Sequence, residues 1–297
     1  MIDSEVYDIP AQARDLCRPR TMRALLRRVD IRLSRKLGQH MLADPGVLRA
    51  VMRHVMQGKH DQILEIGPGL GSLTVCLAES AQRVVTVEID ARMLALLDAT
   101  LAFYPNVETV HQDAVGFDPQ PYFGAEPYVL AANLPYSVAT PVIRQLAAHQ
   151  AGPQRMVIML QREVAERVCA QPGETSYLSL LVQTYAKPEY LFGVPAQAFF
   201  PPPQVDSAVV EVVKREEPYY PAEAVDDVLR LARAGFAQRR KQVHNSVRSL
   251  LRIEDDRMRE LLKDAGIAPQ CRPQELSLAA WFALYQAVKA DGLLIGS

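Results

Sequence analysis

From residue 62 to residue 169, short β-branched or apolar runs alternate with stretches of helical periodicity. This alternation restricts the fold more than any other feature of the chain. The runs 62–66, 83–87, 107–111, 128–132 and 156–160 read as buried strands, and 71–80, 91–102, 140–149 and 163–169 read as helices. Strands separated by helices cannot pair as hairpins. Each helix carries the chain back, so that successive strands run parallel and the sheet is covered on both faces. The expected class is therefore α/β. Upstream, Asp44-Pro45 reads as an N-cap followed by proline at the first helical position, opening a helix to about residue 56. Residues 21–28 form a short basic amphipathic helix, and residues 1–20, with Pro10 and Pro19, read as a loose tail. After Arg215 the strand pattern stops. Glu216, Glu217 and Pro218 make a charged break, followed only by helical periodicity over roughly 222–234, 238–251, 255–265 and 277–290. The expected organisation is a flexible tail over 1–20, an α/β domain over 21–215 and a small all-α domain over 216–297.

The 297 residues are 49% apolar and 23% charged, an ordinary globular balance that excludes a wholly disordered or fibrous chain. Net charge is -1, which taken alone argues against a nucleic-acid partner. The charges are unevenly spread, however. Nine basic residues between Arg14 and Lys36 face only Asp15 and Asp30, and seven between Arg230 and Arg252 face no acid. These two segments can present anion-binding faces on an otherwise acidic body. Cys17, Cys76, Cys169 and Cys271 are too far apart for a C-x-x-C metal or redox pair. The first ten residues carry Asp3, Glu5 and Asp8 and no apolar core, so no signal peptide or membrane span is expected. The expected protein is soluble and cytoplasmic, a monomer without a metal.

The strand at 62–66 runs into Gly67-Pro68-Gly69-Leu70-Gly71 and then a helix. Glycines here allow a tight turn and a close ligand approach. A nicotinamide fingerprint needs a third glycine at position 72, which is Ser72. The pattern is instead E-x-G-x-G, with Glu65 just before the turn. A carboxylate there is poor for a pyrophosphate and good for a cationic amino-acid ligand, which favours S-adenosyl-L-methionine (SAM). Glu88, 21 residues after Gly67 and at the end of the second strand, is placed to accept ribose hydroxyls. Asp113, after the third strand, is placed to meet the adenine.

The fourth strand ends in Asn133-Leu134-Pro135-Tyr136. The Asn133 amide and a backbone carbonyl near Pro135 can accept hydrogen bonds from an exocyclic amine. Pro135 stiffens the turn, and Tyr136 offers a stacking face. An adenine amine is a weak nucleophile because its lone pair is delocalised into the ring. Two acceptors can pull its hydrogens out of plane and aim the pair at a sulfonium methyl, so positioning carries the catalysis. The run 199–207, Phe-Phe-Pro-Pro-Pro-Gln-Val-Asp-Ser, places an aromatic before a stiff segment. Phe199 suits a wall of the base pocket opposite Tyr136, with core packing as the alternative for one of Phe199 and Phe200.

These runs, together with Leu37-Gly38-Gln39-His40-Met41-Leu42 and Phe236-Ala237-Gln238-Arg239-Arg240-Lys241 with Asn245-Ser246, resemble the KsgA family of small-subunit ribosomal RNA adenine dimethyltransferases. The resemblance covers about residues 20–290, in order. It implies a Rossmann-like SAM-dependent methyltransferase domain, a small helical C-terminal domain and dimethylation of two adjacent adenosines near the 3′ end of small-subunit (16S) RNA in a pre-30S particle. It further implies cofactor contacts from His40, Leu42, Gly67, Gly69, Glu88, Asp113 and Asn133. Asn133, Leu134, Pro135, Tyr136 and Phe199 would form the catalytic constellation, and Arg239, Arg240 and Lys241 would contact RNA phosphates. The family's G-Q-N-F-L is here G-Q-H-M-L, with His40 and Met41 in place of Asn and Phe. The alternatives are a large-subunit RNA methylase of the Erm type, a DNA adenine methylase, and a non-catalytic assembly or transcription factor on the same fold.

Overall fold

The computed structural model describes residues 7–31, 33, 39–58, 62–135, 137–237 and 241–293. A seven-stranded sheet has the order β4-β3-β2-β5-β6-β9-β7. Its strands are β2 (Gln62–Ile66), β3 (Arg83–Glu88), β4 (Val107–His111), β5 (Val129–Asn133), β6 (Arg155–Gln161), β7 (Ala186–Val194) and β9 (Ser207–Lys214). β2 to β6 pair in parallel, and β9 adds antiparallel to β6. The central strands are buried along nearly their whole length, as a sheet covered on both faces requires. A separate two-stranded ladder pairs β1 (Met41–Leu42) with β8 (Phe199–Phe200). The strand order reverses between β2 and β5. A crevice opens outside the carboxyl ends of parallel strands at such a switch point, and ligands bind there.

The backbone divides into two compact units, Met1–Ala165 with Glu189–Val213, and Glu166–Pro188 with Lys214–Ser297. This differs in two places from the division read in the sequence. From residue 7 onward the presumed tail is packed structure. The helices Ala11–Leu16 and Pro19–Arg28 bury Ile9, Ala13, Leu16, Cys17 and Met22, and Gln12 Nε2 donates to the Thr100 carbonyl at 2.7 Å. Prolines 10 and 19 sit at helix starts, where a missing N–H costs nothing. The second difference is that residues 166–188 belong with the C-terminal helices. The helix Tyr177–Tyr185 buries Leu178, Leu180, Leu181 and Val182, and the Gln274 carbonyl accepts from Gly173 N and Thr175 Oγ1, both at 2.8 Å. These partners lie about a hundred residues away, out of reach of local periodicity. In the same unit Trp281 is fully buried, and a Cβ on Gly235 would come within 2.5 Å of its ring, so only glycine fits there. Among the described residues no helix is long and apolar enough to cross a membrane.

Candidate active site

At the switch point lies a cavity of about 300 Å³. It is lined by His40, Leu42, Gly67, Gly69, Glu88, Asp113, Asn133 and Pro135 of the residues singled out in the sequence. Glu65 lines it as well. The glycine turn makes the floor. Gly67, Gly69 and Gly71 have φ of +72°, +59° and +85°, a region that side-chain-bearing residues rarely adopt. At Gly67 a Cβ would also press against the Pro135 ring at 3.4 Å. The turn thus reaches the loop after β5.

Burial raises the Glu88 carboxyl above the usual range, opposed by backbone N–H groups, among them Asp90 N at 2.8 Å to Oε1. Asp90 behaves in the opposite way. The Arg92 guanidinium, at 2.6 and 2.9 Å, holds it at about 2, and Gln39 Nε2 donates to it at 3.2 Å. Asp113 is exposed at the rim, where its Oδ1 accepts the Val115 N–H at 2.8 Å, which fixes the carboxyl group. Glu65 is 1% exposed, and burial pushes its carboxyl up to about 8. Thr74 and Thr86 lie close enough to favour its charged form, yet neither hydroxyl nor Glu65 Oε2 completes a hydrogen bond.

Asn133 ends β5 beside Met159 of β6, and the next residue, Leu134, donates its N–H to the Met159 carbonyl at 3.2 Å. The Pro135 carbonyl accepts from Val138 N and Ala139 N at 3.0 and 3.1 Å, which opens the following helix. Asn133 Nδ2 donates to the His40 carbonyl at 2.9 Å. Leu134 itself is 1% exposed and does not line the cavity, so any part it plays is through its backbone.

Phe199 does not line this cavity. It is 3% exposed within the hydrophobic core, opposite Leu42 in the β1–β8 ladder. Successive strand residues face opposite sides, so burying Phe199 turns Phe200 outward, where the Arg23 guanidinium lies 4.8 Å from its ring centre. Tyr136, Arg239 and Arg240 lie outside the described residues; Lys241 is exposed. The sequence reading missed Met22, Gln39, Gln112, Ser137 and Met159, which also line the cavity. Met22 illustrates why. The basic helix Pro19–Arg28 was legible as amphipathic, but nothing local says that its apolar face closes a ligand cavity.

The sequence pattern that defines "Ribosomal RNA adenine dimethylase" matches residues 31–289. The chain belongs to this family. It is 37% identical to Ribosomal RNA small subunit methyltransferase A of Dehalococcoides mccartyi over 91% of this chain and 90% of that protein. It is 35% identical to the protein of the same name from Lysinibacillus sphaericus over 93% of this chain and 97% of that one. Among solved structures, a dimethyladenosine transferase from Plasmodium falciparum superposes with a TM-score of 0.70 at 26% identity, covering 86% of this chain and 99% of that one. The 23S rRNA methyltransferase ErmE gives 0.68 at 24% identity, covering 84% and 99%, and shares the fold. As a ribosomal RNA adenine dimethylase the chain is a SAM-dependent enzyme, and its fold is the Rossmann-like methyltransferase sheet expected from the sequence.

The cavity fits that cofactor. The buried, unpartnered Glu65 Oε2 needs a cationic or donor partner, and the bare backbone of Gly67 and Gly69 leaves room for close approach.

Proposed function

We propose that the chain dimethylates the N6 amine of two adjacent adenosines near the 3′ end of small-subunit ribosomal RNA, acting as a monomer on a precursor particle. One observation carries the assignment of the reacting group. The His40 carbonyl can only accept, so the Asn133 amide must turn its NH₂ toward it at 2.9 Å. Asn133 Oδ1 is left for a substrate amine. The Pro135 carbonyl is used by its helix, so the backbone acceptor is that of Leu134. Together they would draw the amine hydrogens out of the ring plane and aim the lone pair. Bound in the cavity, SAM supplies an electrophilic sulfonium methyl. In this reading Glu88 receives the ribose hydroxyls, Asp113 meets the adenine, and His40, Leu42, Gly67 and Gly69 pack along the cofactor. Arg239, Arg240 and Lys241 contact phosphates, because no acid between residues 230 and 252 neutralises them. Relatives at 35–37% identity that carry the small-subunit name favour this substrate over the large subunit.

The test is to incubate the protein and labelled SAM with unmethylated small subunits, large subunits and duplex DNA, then map the label. Dimethyladenosine at two adjacent small-subunit positions is expected. Label on large-subunit RNA alone would overturn the assignment.

Glu65 makes cofactor binding pH-dependent in this reading. With its carboxyl at about 8, the empty site holds a proton at neutral pH, and a bound ammonium group must expel it. Affinity for S-adenosylhomocysteine should therefore rise as pH increases from about 6 to about 8, by up to about tenfold per unit, and then level off. The same raised carboxyl means that the empty protein loses stability as pH rises through this window, since the folded state holds the proton more tightly than the unfolded chain does. Calorimetry in buffers of different ionisation enthalpy should detect proton release on binding. Glu65→Gln should abolish both the release and the slope.

A further inference from the structure

His40 occupies the position at which this chain departs from the G-Q-N-F-L pattern, and it joins three separate segments. Its backbone carbonyl accepts from Asn133 Nδ2 at 2.9 Å. Its ring Nδ1 lies 2.8 Å from the Pro201 carbonyl. A carbonyl is an acceptor only, so Nδ1 carries the proton and donates. Immediately after His40 the chain enters β1, which pairs Met41 with Phe200 and Leu42 with Phe199, and Ala43 N donates to the Ala198 carbonyl at 2.7 Å. Continued by one residue, this register sets His40 opposite Pro201, at a pair whose backbone groups do not bond across the ladder. The imidazole thus supplies a hydrogen bond at the end of a ladder only two residues long. Gln39, His40, Met41 and Leu42 all line the cavity, so this ladder is the flap along one side of it.

We propose that His40 is a positioning residue whose δ-nitrogen donor ties the cofactor flap to the Pro201 carbonyl and so holds Asn133 with its amide oxygen toward the substrate. The chain of action runs from the ring to Pro201, from there to the placement of the His40 backbone, and from its carbonyl to the Asn133 amide. It also accounts for the departure from the pattern. The side-chain nitrogen of Asn and Nδ1 of His are both bonded to Cγ, so either residue presents an N–H donor at the same place. Histidine in place of asparagine keeps the donor and changes only what lies beyond it.

The inference rests on the methyl-transfer reading for its kinetic consequence but not for its structural one, and the experiment separates the two. His40→Asn, which restores the donor, and His40→Leu, which fills the space without one, are compared with the unaltered protein. Hydrogen exchange at the amides of Met41 and Ala43, the residues of this segment that face β8 with their N–H groups, reads the flap without any turnover. Protection should persist in His40→Asn and fall at least tenfold in His40→Leu. At saturating RNA and SAM, kcat should fall by about ten- to a hundredfold in His40→Leu, as expected for a misplaced reacting group, and His40→Asn should recover most of it. The melting temperature of both variants checks that they fold. Equal flap protection in the two variants would overturn the proposal, as would kcat values for His40→Leu and His40→Asn that match. If the unaltered protein methylates no small-subunit RNA, the functional reading fails, while the exchange result still decides the role of His40.

Discussion

Asn133→Ala should lower methyl transfer at saturating substrates by about two to three orders of magnitude, the usual effect of deleting one positioned polar group aimed at a reacting centre. The fold should survive, because the substitution removes one half-buried neutral hydrogen bond, to the His40 carbonyl, worth about 1 kcal/mol. Asn133→Asp should not rescue the rate. A carboxylate would set acceptor against acceptor at the His40 carbonyl and could not hold the geometry of the amide. Single-turnover methylation of unmethylated small subunits, with the melting temperature as a control, checks this. A rate restored by excess SAM would make Asn133 a cofactor contact instead, and a near-wild-type rate would refute the acceptor role altogether.

Arg155→Met should cost the catalytic unit about 3–5 kcal/mol of stability, enough to leave a marginal protein largely unfolded at physiological temperature. Arg155 is 9% exposed on β6. Its guanidinium donates to the carbonyls of His54, Val55 and Gln57, each at 2.7 Å, and to Glu211 Oε1 of β9 at 2.8 Å. Three of these acceptors lie at the carboxyl end of the helix Pro45–Val55, where the last carbonyls run short of intrahelical donors and the helix dipole favours a cation. Removing the guanidinium takes a charged donor from each of three carbonyls and leaves the half-buried Glu211 carboxylate without its ion-pair partner. Lysine has the charge but not the planar fork, so Arg155→Lys should recover only part of the loss. Replacing Glu211 with Gln in the Arg155→Met background should restore some stability by removing the unpaired charge. Urea midpoints at constant slope measure all four proteins.

Arg155 also marks the limit of what a linear reading reaches. It sits in a run of apolar residues, Met156 to Leu160, and looks like the charged edge of a strand. Its partners are about 55 and 100 residues away, brought together only when β6 pairs with β9 and passes under the helix end. The second unit shows the same limit. Residues 166–188 lack the strong period of the later helices and find their place through contacts with residues such as Gln274. Residues 7–20 looked loose because prolines and charges dominate them, whereas Ile9, Ala13 and Leu16 contribute to the core from three isolated positions.

The candidate site was more legible than the domain division. Each of its elements is a strand end, and a strand end announces itself locally, through a run of apolar residues stopped by glycine, acid or Asn-x-Pro. The parallel order of such units brings Gly67, Glu88, Asp113 and Asn133 to one edge of the sheet without any knowledge of side-chain contacts. What could not be read locally was how those residues are held. That Phe199 faces inward, that Met22 closes the cavity, that Glu65 is left with an unpartnered oxygen and that His40 bridges Pro201 and Asn133 are all facts of packing between distant segments. The sequence by itself determined the α/β alternation and set the glycine turn and the Asn133 loop at strand ends, because period and turn chemistry are properties of neighbours along the chain. Only the tertiary structure decided the orientation of the Asn133 amide, the burial of Glu65 and the membership of residues 7–20 and 166–188, because burial and hydrogen-bond partners belong to segments that meet only in the folded protein.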